Sequence, residues 1–455
     1  MVRCDILLLV AADLYFAYLN GCEYCFAKSF EKAGGTMGNV MDYLKWRGDL
    51  TFAQDPFNEV DNLLLSYVAY VNLDGLSVGA GEEKVTLEEL SRRFFVLHSE
   101  TELEADKSFT RVAPYILKQM AESNRYRTAE VSNYVNMVNP KLEMQFSAAQ
   151  VDLPDGTVNF CFRGTDDNIV AWKEDFNLSL GEVPAQRLAA EYLNRFGTGS
   201  APIRLSGHSK GGNLAVFAAA ACDPHVQEKI TDVYCNDGPG FIHEFVIGEE
   251  YKRIQGRIHR YIPDSSIIGM LLENPVKPHV IKSSGKGILQ HDAISWQIEG
   301  PRFVPETLSE SATMLHETLH RWLDNIDESG REQFVNDLFS ILESTGVETL
   351  TQVQEGGLKN AATMLRELHQ IVPGTWSELE NLLKAVLPFS GFVIMGRQKS
   401  VEKQATTERQ SSIREIASNY KTVLAGLRNS NNNNEKNSEK KNEKNTEIIQ
   451  EEKNK

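Results

Sequence analysis

Ile203-Arg204-Leu205-Ser206-Gly207-His208-Ser209-Lys210-Gly211-Gly212-Asn213-Leu214-Ala215 is the most informative stretch of the chain. Ile203 to Ser206 reads as a strand and Gly212 to Cys222 as an Ala-rich helix, with Gly207-x-Ser209-x-Gly211 between them. In that setting the motif describes a tight strand-to-helix turn that lifts a serine Oγ above the end of a sheet. Only small flanking residues let strand and helix approach so closely, which accounts for Gly207, Gly211 and the doubled Gly212. The helix then aims its first N–H groups at the serine, where negative charge would develop during acyl transfer. Ser209 is therefore the expected nucleophile.

Outward from this turn the pattern alternates. Met144 to Leu153 and Thr157 to Arg163 are extended runs joined by Pro154-Asp155-Gly156, a hairpin signal. Further strands are expected at Asp232 to Cys235, Arg257 to Ile262 and His279 to Ile281, with another helix at Pro184 to Phe196. Strands interleaved with helices over this length predict an α/β domain with a mostly parallel central sheet. Before it, Gly38 to Leu76 carries helical spacing, Thr86-Leu-Glu-Glu resembles a capping box opening a helix to Phe95, and Pro114 to Asn133 reads as further helix. After Gly300 the chain turns helical again, with amphipathic segments from Glu306 onward. From Asn429 the composition is Asn, Glu and Lys with almost no apolar residue, so disorder is expected. The expected division is 1–36, a doubtful leader; 37–300, the α/β domain; 301–428, a helical C-terminal extension; and 429–455, the tail.

Composition restricts function. The 455 residues are 41% hydrophobic and 24% charged with a net charge of −16, which is globular and ill suited to a phosphate backbone. The tail holds six Glu and six Lys, so the acidity belongs to the rest of the chain, and no nucleic-acid partner is expected. No run of eighteen apolar residues occurs, so stable membrane insertion is not expected. Ile6 to Ala12 is a short apolar run, but Asp5 and Asp13 bracket it, which argues against a secretory signal. Glu31-Lys32-Ala33-Gly34-Gly35-Thr36 can be encoded with a purine-rich ribosome-binding site, which makes Met37 a candidate start. Cys4, Cys22, Cys25, Cys161, Cys222 and Cys235 form no metal or disulfide framework, and a cytoplasmic location is the expectation.

Upstream of the serine, Val158 to Phe162 leads into Arg163-Gly164-Thr165, followed by Trp172 and Asp175. Together with Gly-His-Ser-x-Gly-Gly-x-Leu-Ala, this resembles the class 3 (fungal-type) lipases of the α/β-hydrolase superfamily. More closely, Gly38 to about Glu343, including Asp-Tyr-Leu-x-Trp-Arg-Gly-Asp at Asp42 to Asp49, resembles an uncharacterised bacterial hydrolase-like family related to those lipases. The resemblance implies an α/β-hydrolase fold, a serine carboxylesterase or lipase-like activity on a small-molecule or lipid ester, and no cofactor. It also implies an oxyanion hole from Thr165 and the backbone N–H of Lys210. Where lipases usually carry an apolar residue the chain has Lys210, which puts a greasy surface around the serine in doubt.

The superfamily order is Ser, acid, His. Two strands past the nucleophile the chain reaches Asp264, the expected acid. Asp237, in Asn236-Asp-Gly-Pro-Gly, is the rival, but the string reads as turn chemistry one strand too early. His291 follows the last strand and the Gly-rich Ser283-Ser-Gly-Lys-Gly and is the expected base, whereas His279 would lie within a strand. His208 is too close in sequence to serve Ser209 and is expected to pack or bond near the turn. His316-Glu317-Thr318-Leu319-His320 matches H-E-x-x-H, which can hold zinc for peptide hydrolysis. It lies beyond the α/β core without a clear third ligand, so a surface helix is expected and no metal is assigned. A catalytically inactive interaction protein on the same fold is the other alternative.

Overall fold

The computed structural model describes residues 38–106, 108, 110–166, 173–175, 177–285, 290–310, 312, 313 and 317. The proposed leader and Met37, Trp172, His316, His320, nearly all of the expected C-terminal extension and the tail lie outside the described residues. The described part is a mixed α/β fold. Its main sheet has eight strands in the order β1 to β8: Val85–Thr86, Glu130–Asn139, Met144–Asp152, Val158–Phe162, Ile203–His208, Ile230–Asn236, Ile258–Pro263 and His279–Ile281. β1 to β4 pair antiparallel, and β4 to β8 pair parallel. Spatial neighbours are thus sequence neighbours throughout, and the carboxyl ends of β4 to β8 line one edge. Open parallel sheets place their reactive groups at such an edge.

Side-chain alternation sorts the core into two layers. On β4, Phe160 and Phe162 enter one cluster with Leu205, Leu214, Phe217, Ala189 and Leu193, while Cys161 joins the other with Val151, Leu64 and Ile116. Helices α1 (Val40–Arg47), α2 (Glu59–Val68), α3 (Leu87–Leu97) and α4 (Ala113–Glu122) cover the latter face; α5 (Pro184–Phe196) and α6 (Lys210–Ala221) cover the former. Local chemistry sets the helix starts. Asn39 with Asp42, and Asn58 with Asp61, form reciprocal capping boxes, and Thr86 caps α3 through Glu89 N–H.

The strands and helices around Ser209 lie close to where the sequence places them; the segment ahead of the hairpin does not. Glu130–Asn139 is a strand, not the end of a helix that stops at Glu122. Its alternation is broken by Asn133 at φ 53°, where the register with β3 slips between Ser132 and Val135. A bulge of this kind hides the period of two from a sequence reading. Among the described residues, no helix is long and apolar enough to cross a membrane.

Candidate active site

Ser209 stands between β5 and α6 at φ 59° and ψ −134°, a conformation that L-residues rarely adopt. Its N–H donates to Asn236 O at 2.9 Å, which ties the turn to the end of β6. Glycines permit the geometry through close backbone contact. A Cβ at position 207 would sit 2.1 Å from the Gly211 carbonyl, and one at 211 would sit 2.1 Å from Phe162 O. Gly164 is equally constrained, since a Cβ there would lie 2.5 Å from His208 O and 3.0 Å from the Ser209 Cβ. The loop after β4 therefore runs directly beside the serine.

His291 Nδ1 lies 2.7 Å from Oδ2 of Asp237, which leaves Nε2 of the ring free of that contact. Asp237 is fully buried, and its other oxygen accepts from Ser266 Oγ at 2.5 Å. The expectation was that Asp264 would meet His291; the structure brings Asp237 to the ring instead. Asp264 accepts instead from Gln290 Nε2 (3.1 Å) and Ser265 Oγ (3.2 Å), and its N–H donates to Ile281 O. Its carboxylate thus holds Gln290, the residue before His291, and forms no hydrogen bond or ion pair with the His291 ring, whose carboxylate partner is Asp237.

The physical reason lies in strand order. β6 adjoins β5, and Asp237 at φ 49° turns off its end beside the serine turn, with its N–H donating to Tyr261 O on β7. The turn chemistry of Asp237-Gly238-Pro239-Gly240 is real, and a side chain within it faces the site. Both aspartates satisfy the order Ser, acid, His, and the strand count that favoured Asp264 points to the wrong partner for the His291 ring. Asp237 follows β6, the strand that adjoins the Ser209 turn. His279 lies in β8 and stacks on Tyr261 at 5.1 Å between ring centroids, as its placement in a strand implied.

Thr165 is buried, and its hydroxyl donates to Asp175 Oδ2. Burial pushes the Asp175 carboxyl up to about 6, with Lys210 and the Thr165 hydroxyl pulling the other way. Lys210 N–H, at the first position of α6, belongs to the helix end whose N–H groups have no intrahelical acceptor. The Lys210 side chain explains the departure noted in the sequence. It runs into the fold, with Nζ 3.0 Å from Glu174 Oε2, 3.4 Å from Asp175 Oδ1 and 3.4 Å from Gln145 O. The amine is buried, and the two carboxylates raise its pKa against the opposing effect of burial. It serves the loop after β4, and the surface around Ser209 is spared its charge.

The His208 ring lies against His291 with centroids 4.6 Å apart and planes inclined by 32°, and it bonds the His291 carbonyl through Nε2 at 2.8 Å. Burial, and then the neighbouring His291, lower its pKa to about 3, so the ring is neutral at ordinary pH. Among the described residues, no group of three or more His, Cys, Asp or Glu side chains is arranged to hold a metal ion.

Residues 120–340 match the Mbeg1-like family. The matched segment runs from the end of α4 through the whole parallel half of the sheet and includes Thr165, Ser209, Asp237 and His291. The Mbeg1-like family is a lipase-like family among the relatives of class 3 lipases. No curated protein matches the chain. At the level of family, the Mbeg1-like match supports a lipase-like hydrolase.

Proposed function

We propose that the protein is a serine hydrolase acting on carboxylic esters, with Ser209 as nucleophile, His291 as base and Asp237 as the carboxylate that orients it. The observation that carries the reading is the His291–Asp237 pair at 2.7 Å, on the same sheet edge as a serine held in a strained strand-to-helix turn. His291 takes the Ser209 proton as Oγ attacks the ester carbonyl, and Asp237 steadies the imidazolium that forms. Thr165 and the Lys210 N–H stabilise the oxyanion. Collapse of the tetrahedral intermediate expels the alcohol, which takes the proton from His291, and water then releases the acid by the same steps. The substrate is a small-molecule or lipid ester, and the chemistry uses no cofactor. The described cysteines Cys161, Cys222 and Cys235 are free and buried, which supports a reducing, cytoplasmic setting.

The test is covalent labelling with a fluorophosphonate, read by mass spectrometry. Adduct on Ser209 that disappears in Ser209→Ala is the expected result, and a folded chain that never labels favours the non-catalytic interaction protein. Asp237→Asn should lower the rate by about four orders of magnitude, as loss of the triad carboxylate does elsewhere. Asp264→Asn, which touches only the loop support, should cost far less; a reversed ranking would return Asp264 to the role of acid.

A further inference from the structure

The base of a serine hydrolase must be held to a fraction of an ångström, yet His291 lies on a loop and not on a strand. Two neighbouring carbonyls of that loop are held by ring N–H groups from the body of the fold. Trp296 Nε1 donates to Gln290 O at 2.8 Å, and His208 Nε2 stands 2.8 Å from His291 O. A carbonyl oxygen only accepts, so Nε2 of His208 carries the proton. In the neutral ring Nδ1 is then a bare acceptor. Tyr70 Oη lies 3.2 Å from that Nδ1 and 3.3 Å from the His208 carbonyl oxygen, so its one proton is presented to two acceptors of the same residue. The His208 ring also lies against His291 at 4.6 Å between centroids with the planes inclined by 32°, and Trp296 is set edge-on to His208 at 6.1 Å.

We propose that His208 is a positioning residue for His291, its Nε2–H anchoring the His291 carbonyl while Tyr70 fixes the tautomer that makes this bond possible. The inference rests on the reading of His291 as the base. It extends from Tyr70 on the N-terminal helical side, through the residue next to the nucleophile, to the backbone of the base, so both triad partners of Asp237 are referenced to one rigid strand end. The low pKa of His208 keeps this tautomer intact across the range where a serine hydrolase works. An imidazolium at this place would have no acceptor for its second proton except Tyr70 Oη, and it would repel His291 as that ring took up the Ser209 proton.

The experiment compares the parent with His208→Phe, which keeps an aromatic ring without a donor, His208→Gln, which restores a donor near the position of Nε2, and Tyr70→Phe. Circular dichroism and thermal melting establish that each is folded. The fluorophosphonate labelling rate of Ser209 should fall about ten- to hundredfold in His208→Phe. It should recover to within about threefold of the parent in His208→Gln and fall several-fold in Tyr70→Phe. A second readout does not depend on reactivity: the proton between His291 Nδ1 and Asp237 gives a low-field NMR line. The line should persist in the parent and His208→Gln and vanish in His208→Phe. Parent-like labelling and an unchanged line in His208→Phe, or a Gln variant no better than the Phe variant, would overturn the proposal. A parent that refuses the probe would overturn the acyl-transfer reading instead, while the NMR comparison still decides whether His208 positions the ring.

Discussion

Replacing Ser209 by glycine should make the protein more stable, although it removes the residue on which the proposed chemistry depends. The backbone at 209 lies at φ 59° and ψ −134°, where a Cβ is crowded and glycine is not. Strain of this kind costs about 1–3 kcal/mol. Glycine relieves it but releases more freedom in the unfolded chain, a penalty of about 0.4–1 kcal/mol. The net gain is about 0.5–2 kcal/mol, or a rise of about 1–8 °C in Tm for a domain of this size. Ser209→Ala is the proper reference, because it deletes the hydroxyl and keeps the strained Cβ. At ordinary positions Ala is more stable than Gly, so the expected sign is inverted here. Differential scanning calorimetry of the three proteins reads the difference directly. A Ser209→Gly variant that melts at or below Ser209→Ala would refute the claim that the turn stores strain.

Two further outcomes follow from the buried charges behind the loop after β4. Lys210→Met strands the fully buried Glu174, whose remaining donors are the N–H groups of Gln145 and Ala185, and should destabilise the fold by about 3 kcal/mol in urea titration. Adding Glu174→Gln should recover part of that loss, whereas strictly additive losses would deny the pair. For Asp175, the folded-state value of about 6 lies above the usual carboxylate value of about 3.9, so the folded protein binds the proton more tightly. Its contribution to stability is complete below the unfolded value and is lost as pH rises through about 6. Urea midpoints measured from pH 4 to 7 should therefore show a downward component in the parent that is missing in Asp175→Asn; parallel profiles would remove Asp175 from that pH dependence.

Much of the architecture was legible in the residues because strands and helices carry their own periods. β3 to β8 and α5 fall within a few residues of the expected spans, and Gly207-x-Ser209-x-Gly211 marks its turn because only small residues survive such close backbone contact. β2 was missed where a bulge at Asn133 broke the alternation that would have revealed it. Lys210 read as a polar departure beside Ser209, and its pairing with Glu174 depends on a residue 36 positions earlier in the chain.

What the sequence by itself determined is most of the local elements around the Ser209 turn and the candidacy of Ser209, His291 and the two aspartates, since each depends on neighbours along the chain. Tertiary structure alone decided which aspartate meets His291, that Tyr70 meets the His208 ring across 138 residues, and that His208 meets the His291 carbonyl across 83. The physical reason is that a hydrogen bond needs about 3 Å of separation and correct aim. Those quantities come from the side-by-side order of β5, β6 and β7 and the direction in which each strand end turns.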